Sequence, residues 1–178
     1  SKNLNLKNIT LPNSITCIGW AAFHDCTKLE HINIPNSITY IGGGAFEDCA
    51  KLEHITIPNS VTYIGDAAFY GCTSLDNIVI PGGAKLSAQT TGSTFAECTN
   101  LKSVVIENGV TTIVQAIFEN CVNLESVTIP NTVTEIYPLA FMGCTKLKSI
   151  TIPKSVKTIV KTAGKAMGYY SCLLYTSP

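Results

Sequence analysis

Cysteine is the residue type in this sequence whose number and spacing could most readily do chemistry. Six of the eight cysteines follow one another at steps of 23 residues, with one step of 26: Cys26, Cys49, Cys72, Cys98, Cys121 and Cys144. A disulfide needs its two sulfur-bearing bonds to cross, whereas residues one repeat apart have parallel side-chain directions. No Cys-x-x-Cys pair is present to begin a tetrahedral zinc site. We therefore predict a buried ladder of thiols that pack as small hydrophobic groups.

Two of the three histidines, His31 and His54, occupy the same position in successive units. Two imidazoles at strand spacing could share a metal ion, with Glu30 and Glu53 beside them. Two histidines and a nearby acid do not complete a metal site, however. We therefore predict that both histidines are solvated surface residues and that the chain holds no metal and no cofactor.

The sequence lacks the motifs of catalytic and phosphate-binding sites. Gly164-Lys165-Ala166 does not carry the hydroxyl residue that would complete a phosphate-binding loop. Twelve basic and twelve acidic side chains cancel, so there is no basic excess to displace counterions from nucleic acid. No apolar run approaches the roughly 18 residues of a membrane span. The sequence predicts a non-enzymatic chain that binds no nucleic acid and inserts no segment into a membrane.

The cysteine spacing is part of a repeat that two other residue types share. Phenylalanine recurs at Phe23, Phe46, Phe69, Phe95, Phe118 and Phe141. Leucine recurs at Leu6, Leu29, Leu52, Leu75, Leu101, Leu124 and Leu147. All three series share the single irregular step of 26 residues, which chance does not explain. Units therefore begin at residues 6, 29, 52, 75, 101, 124 and 147, and we predict one repeat domain over residues 1–170.

Each unit is too short to bury its own apolar face. The alternation in Ile32-Asn33-Ile34 predicts a half-buried strand, and Pro35 ends it because proline cannot donate to a sheet. Gly65 and its equivalents turn the chain, and Phe69 and its equivalents point inward, with at most single helical or 3₁₀ turns around them. Stacking the units in parallel would give a continuous core, which predicts a solenoid.

The unit L-x-x-I-x-I-P…I-G-x-x-A-F-x-x-C closely resembles the BspA-like, or Treponema pallidum type, leucine-rich repeat. The resemblance covers residues 6 to about 159, and it implies a right-handed, β-rich leucine-rich-repeat solenoid of the α/β superhelix class. Where general leucine-rich repeats place Asn or Cys, this chain has Ser, Gly or Thr. The resemblance also implies a bacterial cell-surface or secreted protein of the adhesin type, which attaches to host matrix proteins or to other cells.

Outward strand positions would form two rows along the solenoid, and sheet faces of solenoids are extended binding surfaces. The candidate contact residues in these rows are His31, Asn33, His54, Thr56, Asn77, Val79 and Val105. Tyr40 and Tyr63 form another predicted outward pair, and exposed aromatic residues are favoured in interfaces. Cys17 shares their position and is a candidate free thiol. The alternative is that all these side chains merely solvate the sheet.

The function that we expect is binding of a protein, or of a glycan, through this sheet face. The alternatives are a structural spacer and an accessory repeat region of a larger surface enzyme. The segment 171–178 resembles the translation of a sequencing-library adapter, and we interpret it as a non-native tail and the chain as a gene fragment.

Overall fold

The computed structural model describes residues 5–87 and 93–160. Its short strands pair in parallel from coil to coil and line two sides of the solenoid, which we call the first and the second stack. Most coils contribute one strand to each stack. The first stack contains β1 (Asn8–Thr10), β3 (His31–Asn33), β6 (Asn77–Ile80), β8 (Ser103–Ile106) and β10 (Ser126–Thr128). Among the described residues, the third coil has no strand in this stack; a single parallel bridge joins its His54 to His31 of the second coil. The parallel, 23-residue register confirms the predicted solenoid of leucine-rich-repeat type.

The second stack is a feature that the sequence did not predict as a sheet. It comprises β2 (Cys17–Ile18), β4 (Tyr40–Ile41), β5 (Tyr63–Ile64), β7 (Lys85–Leu86), β9 (Thr112–Ile113), β11 (Glu135–Ile136) and β12 (Thr158–Ile159). Pro35 separates the two strands of the second coil, and its carbonyl accepts a turn hydrogen bond from the Ile38 nitrogen at 3.0 Å. The coil therefore bends after each proline and forms a second side.

The third side of each coil is a run of tight turns around the Ala-Phe segment. Alternate backbone nitrogens bond along the solenoid axis: Phe46 donates to Ala68 at 2.8 Å, and Asp48 donates to Tyr70 at 2.8 Å. The nitrogen between them, that of Glu47, bonds within the turn to the Gly44 carbonyl at 3.1 Å. Since half of the donors bond to the next coil, a helix cannot form there, and residues 5–87 and 93–160 contain none.

The core consists of the three predicted ladders and the inward strand residues. Phe46, Phe69, Phe95 and Phe118 are fully buried, and consecutive rings along the ladder stack with centroids 5.1 to 5.8 Å apart. The ladder cysteines and the leucines from Leu29 to Leu147 are buried in the same cluster. Phe23, in the first coil, is only half-buried. Stacking of coils thus produces the continuous core that no single unit could form.

Four extra residues lie between β7 and the next Phe, and the stretch before β7 is one residue shorter than in other coils, because Tyr63 pairs with Lys85 at a step of 22 residues. Ser87 and Ser93 bound this insertion, and residues 88–92 are outside the part of the chain that the structure describes. The predicted non-native tail, 171–178, and the preceding residues 161–170 are also outside it. Coils on both sides of the insertion keep the same register, since Val79 pairs with Val105 across the 26-residue step.

Candidate functional site

The predicted outward rows exist as two lines of side chains on the first stack. In the first row, Asn8 pairs with His31, and Asn77 pairs with Ser103. The second row is formed in the same register: Thr10–Asn33 and Val79–Val105–Thr128. Residues of both rows lie at exposed or half-buried positions, and the strand residues between them point into the core. The repeat thus builds a long face whose side chains lie one strand spacing apart.

His31 and His54 lie side by side near one end of this face. They border a shallow depression of about 340 Å³, to which Asn33 and Thr56 also contribute. The Nδ1 atom of His54 lies 3.0 Å from the Asp76 carboxylate, which also accepts a hydrogen bond of 2.6 Å from Asn77. Asp76 therefore orients the His54 ring, whose side chain remains 63% exposed.

An apolar patch lies in the middle of the same face. Val79 and Val105 are directly opposite each other in the register and are 44% and 41% exposed. The outward neighbours of this pair are polar: Asn77 and Ser103 on one side, and Thr128 next along the row. Interface centres of known complexes commonly have such an apolar patch within a polar rim.

Tyr40 and Tyr63 belong to the second stack, so the structure does not bring them to the face that carries the histidines. Their rings are parallel, with centroids 4.9 Å apart and planes inclined by 7°. Cys17 precedes them in the same row, is exposed, and forms no disulfide with any cysteine that the structure describes. The nine candidate contact residues therefore divide between two sides of the solenoid.

The buried thiols offer no nucleophile. Loss of hydration is the main cause that raises the pKa of the Cys49 thiol to about 12, and the neighbouring Cys26 raises it further. Burial likewise raises the pKa values of Cys72 and Cys98 well above the ordinary value. A thiol in this state stays protonated at neutral pH, whereas the thiolate is the reactive form. The ladder is a structural element, as the sequence predicts.

Two surface features escaped the sequence analysis. Trp20, which follows β2, is 82% exposed. On the third side, His24, Asp25 and Asp48 bring three metal-binding side chains together, with donor atoms within 4.8 Å of one another. The signal for this group was present, because Asp25 and Asp48 are one repeat apart and His24 is adjacent. It depends on the turn conformation, however, which spacing alone does not reveal.

Comparison with known families assigns the repeat. The model of the BspA type leucine-rich repeat region matches residues 1–89 and 87–167, with six copies. The chain belongs to the BspA-type leucine-rich repeat family. The two-strand coil, the Phe ladder and the Cys ladder are thus the structure of this repeat in the present chain.

Several solved structures share this BspA-type solenoid. The Treponema pallidum leucine-rich repeat protein is 34% identical, with a TM-score of 0.74 over 81% of this chain and 66% of that one. A leucine-rich repeat protein from Bacteroides ovatus is 30% identical, with a TM-score of 0.79 over 89% of this chain. A leucine-rich cell surface protein from Faecalibacterium prausnitzii is 32% identical, with a TM-score of 0.76 over 87% of this chain.

The BspA-type chain spans only part of these relatives. It covers 40% of the Bacteroides protein and 44% of the Faecalibacterium protein. No curated protein gives a significant match. Among the described residues, none forms a helix with the length and apolar character needed to cross a membrane.

Proposed function

We propose that this chain is a non-enzymatic protein-binding module of a cell-surface or secreted adhesin-type protein. Its first stack supplies the contact face, with the Val79–Val105 patch at the centre and the His31–His54 depression beside it. Membership of the BspA-type family supports a role in protein interaction. The Faecalibacterium relative, described as a cell surface protein, supports the proposed location.

The observation that carries this proposal is the exposure of Val79 and Val105. The other members of the row are polar in every complete coil: Thr10, Asn33, Thr56 and Thr128. Two valines at adjacent positions of such a row expose apolar surface that the fold does not use. Desolvating this surface against a partner would stabilise a complex, and the polar side chains around it would fix the orientation of that partner.

The proposed partner is a protein because the face is long, shallow and in register over several coils. Small-molecule sites are usually concave and bury most of their ligand, whereas the depression at His31 and His54 is open. The two rows instead present side chains at strand spacing over β1 to β10, which suits an extended or gently curved protein surface.

The test is a binding screen of the untagged chain against purified extracellular-matrix proteins, with a glycan array run in parallel. The decisive variant replaces both valines, Val79→Thr and Val105→Thr. Threonine has nearly the shape of valine and is the native residue of that row in four other coils, including Thr56 and Thr128. We expect at least one matrix protein to bind, and the double variant to weaken that binding about tenfold, or about 1.4 kcal/mol.

The control variant is Val122→Thr. Val122 is also exposed, at 37%, and threonine is native to its row at Thr27, Thr73, Thr99 and Thr145, but it lies outside the contact face. We expect this variant to bind like the native chain. Binding of glycans alone would overturn the protein-binding proposal. So would the absence of any binding, which would favour the structural spacer, or equal binding by the native chain and the double valine variant.

A further inference from the structure

The third side of the first two coils carries a four-residue group that the proposed binding face does not use. His24 and Glu47 occupy one repeat position, and Asp25 and Asp48 occupy the next. The Asp25 nitrogen donates to the Glu47 carbonyl at 2.9 Å, which fixes the two coils against each other. Asp25 and Asp48 both have left-handed backbone conformations, with φ of 59° and 57°. The backbone thus holds the four side chains as a two-by-two array.

Three of these side chains can converge on one point. The Nδ1 atom of His24 lies 3.1 Å from Oδ2 of Asp25, and a carboxylate oxygen of Asp48 completes a set of three atoms within 4.8 Å of one another. Zinc bonds of about 2.0–2.2 Å place tetrahedral ligands roughly 3.3–3.6 Å apart. Closing the set by about 1 Å would therefore satisfy such an ion, and all three side chains are half-buried rather than freely solvated.

Glu47 lies on the other side of the same imidazole. Its Oε2 atom is 3.6 Å from Nε2 of His24, so the ring has one nitrogen toward the aspartates and the other toward this carboxylate. Metal-binding histidines commonly have a carboxylate at the nitrogen that does not bind the metal, because it fixes the tautomer and orients the ring. The array provides this arrangement in addition to the three ligand atoms.

Later coils show that the third side does not need such a group. At the repeat position of Asp25 and Asp48, the fourth and fifth coils have Glu97 and Asn120, and the Asn120 amide donates to Glu97 at 2.7 Å. Glu97 and Glu119 there supply two carboxylates, and the neutral Asn120 amide donates to one of them. In the first two coils, by contrast, three carboxylates surround one imidazole, so a dication would offset charge that a single protonated histidine cannot.

We propose that His24, Asp25 and Asp48 bind one zinc ion, and that Glu47 orients the His24 ring for it. A set of one imidazole and two carboxylates suits zinc, since imidazole is a poor ligand for magnesium and calcium. Three protein ligands leave a fourth position of the tetrahedron for water or for a group of a second molecule.

The test is isothermal titration of zinc chloride into the untagged full chain at pH 7. The decisive variant is Asp48→Gly, which removes one ligand at a position where glycine is native in two other coils, as Gly71 and Gly143, with the same sign of φ. We expect one zinc ion per native chain and at least tenfold weaker binding by Asp48→Gly. The control Glu97→Gly removes a carboxylate from the same row in a later coil, and it should bind like the native chain.

Two further pairs of variants separate this site from other zinc-binding groups. His24→Tyr introduces the residue type that the third coil has at this repeat position, as Tyr70, and it should abolish zinc binding. His54→Ala and Cys17→Ser should leave zinc binding unchanged. Glu47→Gln should weaken binding about tenfold without changing the stoichiometry. Absence of zinc binding by the native chain would overturn the proposal, as would binding that survives Asp48→Gly or is lost in His54→Ala or Cys17→Ser.

Discussion

The thiol of Cys72 donates a 3.2 Å hydrogen bond to the carbonyl oxygen of Phe46, one coil earlier in the solenoid. The same carbonyl accepts the backbone nitrogen of Cys49, also at 3.2 Å. Both of its lone pairs are therefore used inside a core from which water is excluded. The bond recurs in each coil from the second to the sixth, which gives the cysteine a role that a purely apolar residue could not fill.

These thiols predict that the protein loses stability in mild alkali. The pKa of the Cys49 thiol is about 12 in the fold and about 8.5 in an unfolded chain. The folded state therefore holds more protons above pH 8.5, and the free energy of unfolding decreases as the pH rises from 8.5 toward 12. Between pH 7.5 and 9.5 we expect a loss of about 1 kcal/mol for each deeply buried thiol, measured by urea unfolding under reducing conditions.

Two variants assign that loss to the ladder. Cys98→Ala removes one buried thiol and should make the loss between these pH values smaller, whereas Cys17→Ser removes an exposed one and should leave it unchanged. A free energy of unfolding that is equal at pH 7.5 and 9.5 would contradict this account of the ladder.

Because successive coils approach closely, we predict that replacing two glycines of the same repeat position by alanine changes the free energy of unfolding by different amounts. A Cβ atom at Gly65 would overlap with the Gly43 nitrogen and lie 2.7 Å from the Gly42 carbonyl carbon, whereas a Cβ at Gly19 would meet nothing within 4 Å. We expect Gly65→Ala to lower the free energy of unfolding by about 2–3 kcal/mol. Gly19→Ala should change it by no more than about 0.5 kcal/mol. Equal effects in urea unfolding would show that the coils are not packed this closely.

Thr94 predicts a stabilising substitution. It is fully buried where other coils have Ala45 and Ala68, and its hydroxyl has no hydrogen-bond partner among the described residues. A buried hydroxyl without a partner is costly, so Thr94→Val should raise the free energy of unfolding by about 1 kcal/mol. Thr132→Val should lower it by about as much, because the Thr132 hydroxyl donates to the Val110 carbonyl at 2.8 Å. Thermal denaturation that shifts both variants in the same direction would contradict this explanation.

The sequence predicts the core of this protein better than its surface. The Phe, Leu and Cys series identified the buried ladders because a 23-residue period places equivalent residues in contact. The second stack escaped prediction because strands such as Tyr63–Ile64 are two residues long, too short to show an alternation. The group at His24 escaped because the left-handed turn at Asp25 is set by bonds between coils, which the sequence does not display.

For the candidate contact residues, the sequence predicts which residues are neighbours but not which side of the coil they occupy. The period correctly places His31 beside His54 and Tyr40 beside Tyr63. It does not tell which sides of the coil these pairs occupy, because that depends on the bend after each proline. The exposure of Val79 and Val105 could be inferred from strand alternation alone, and for that reason the central part of the candidate face was predictable.

Photo-cross-linking from two threonines tests the proposed binding face most directly. Thr56 lies in the second row of the first stack, and Thr73 is equally an exposed threonine but lies in the turns that follow the Phe ladder. A photoreactive amino acid is introduced at one position or the other, and the chain is irradiated with the matrix protein that binds it. We expect a covalent adduct from position 56 and none from position 73. An adduct from position 73 with none from position 56 would contradict binding through the first stack.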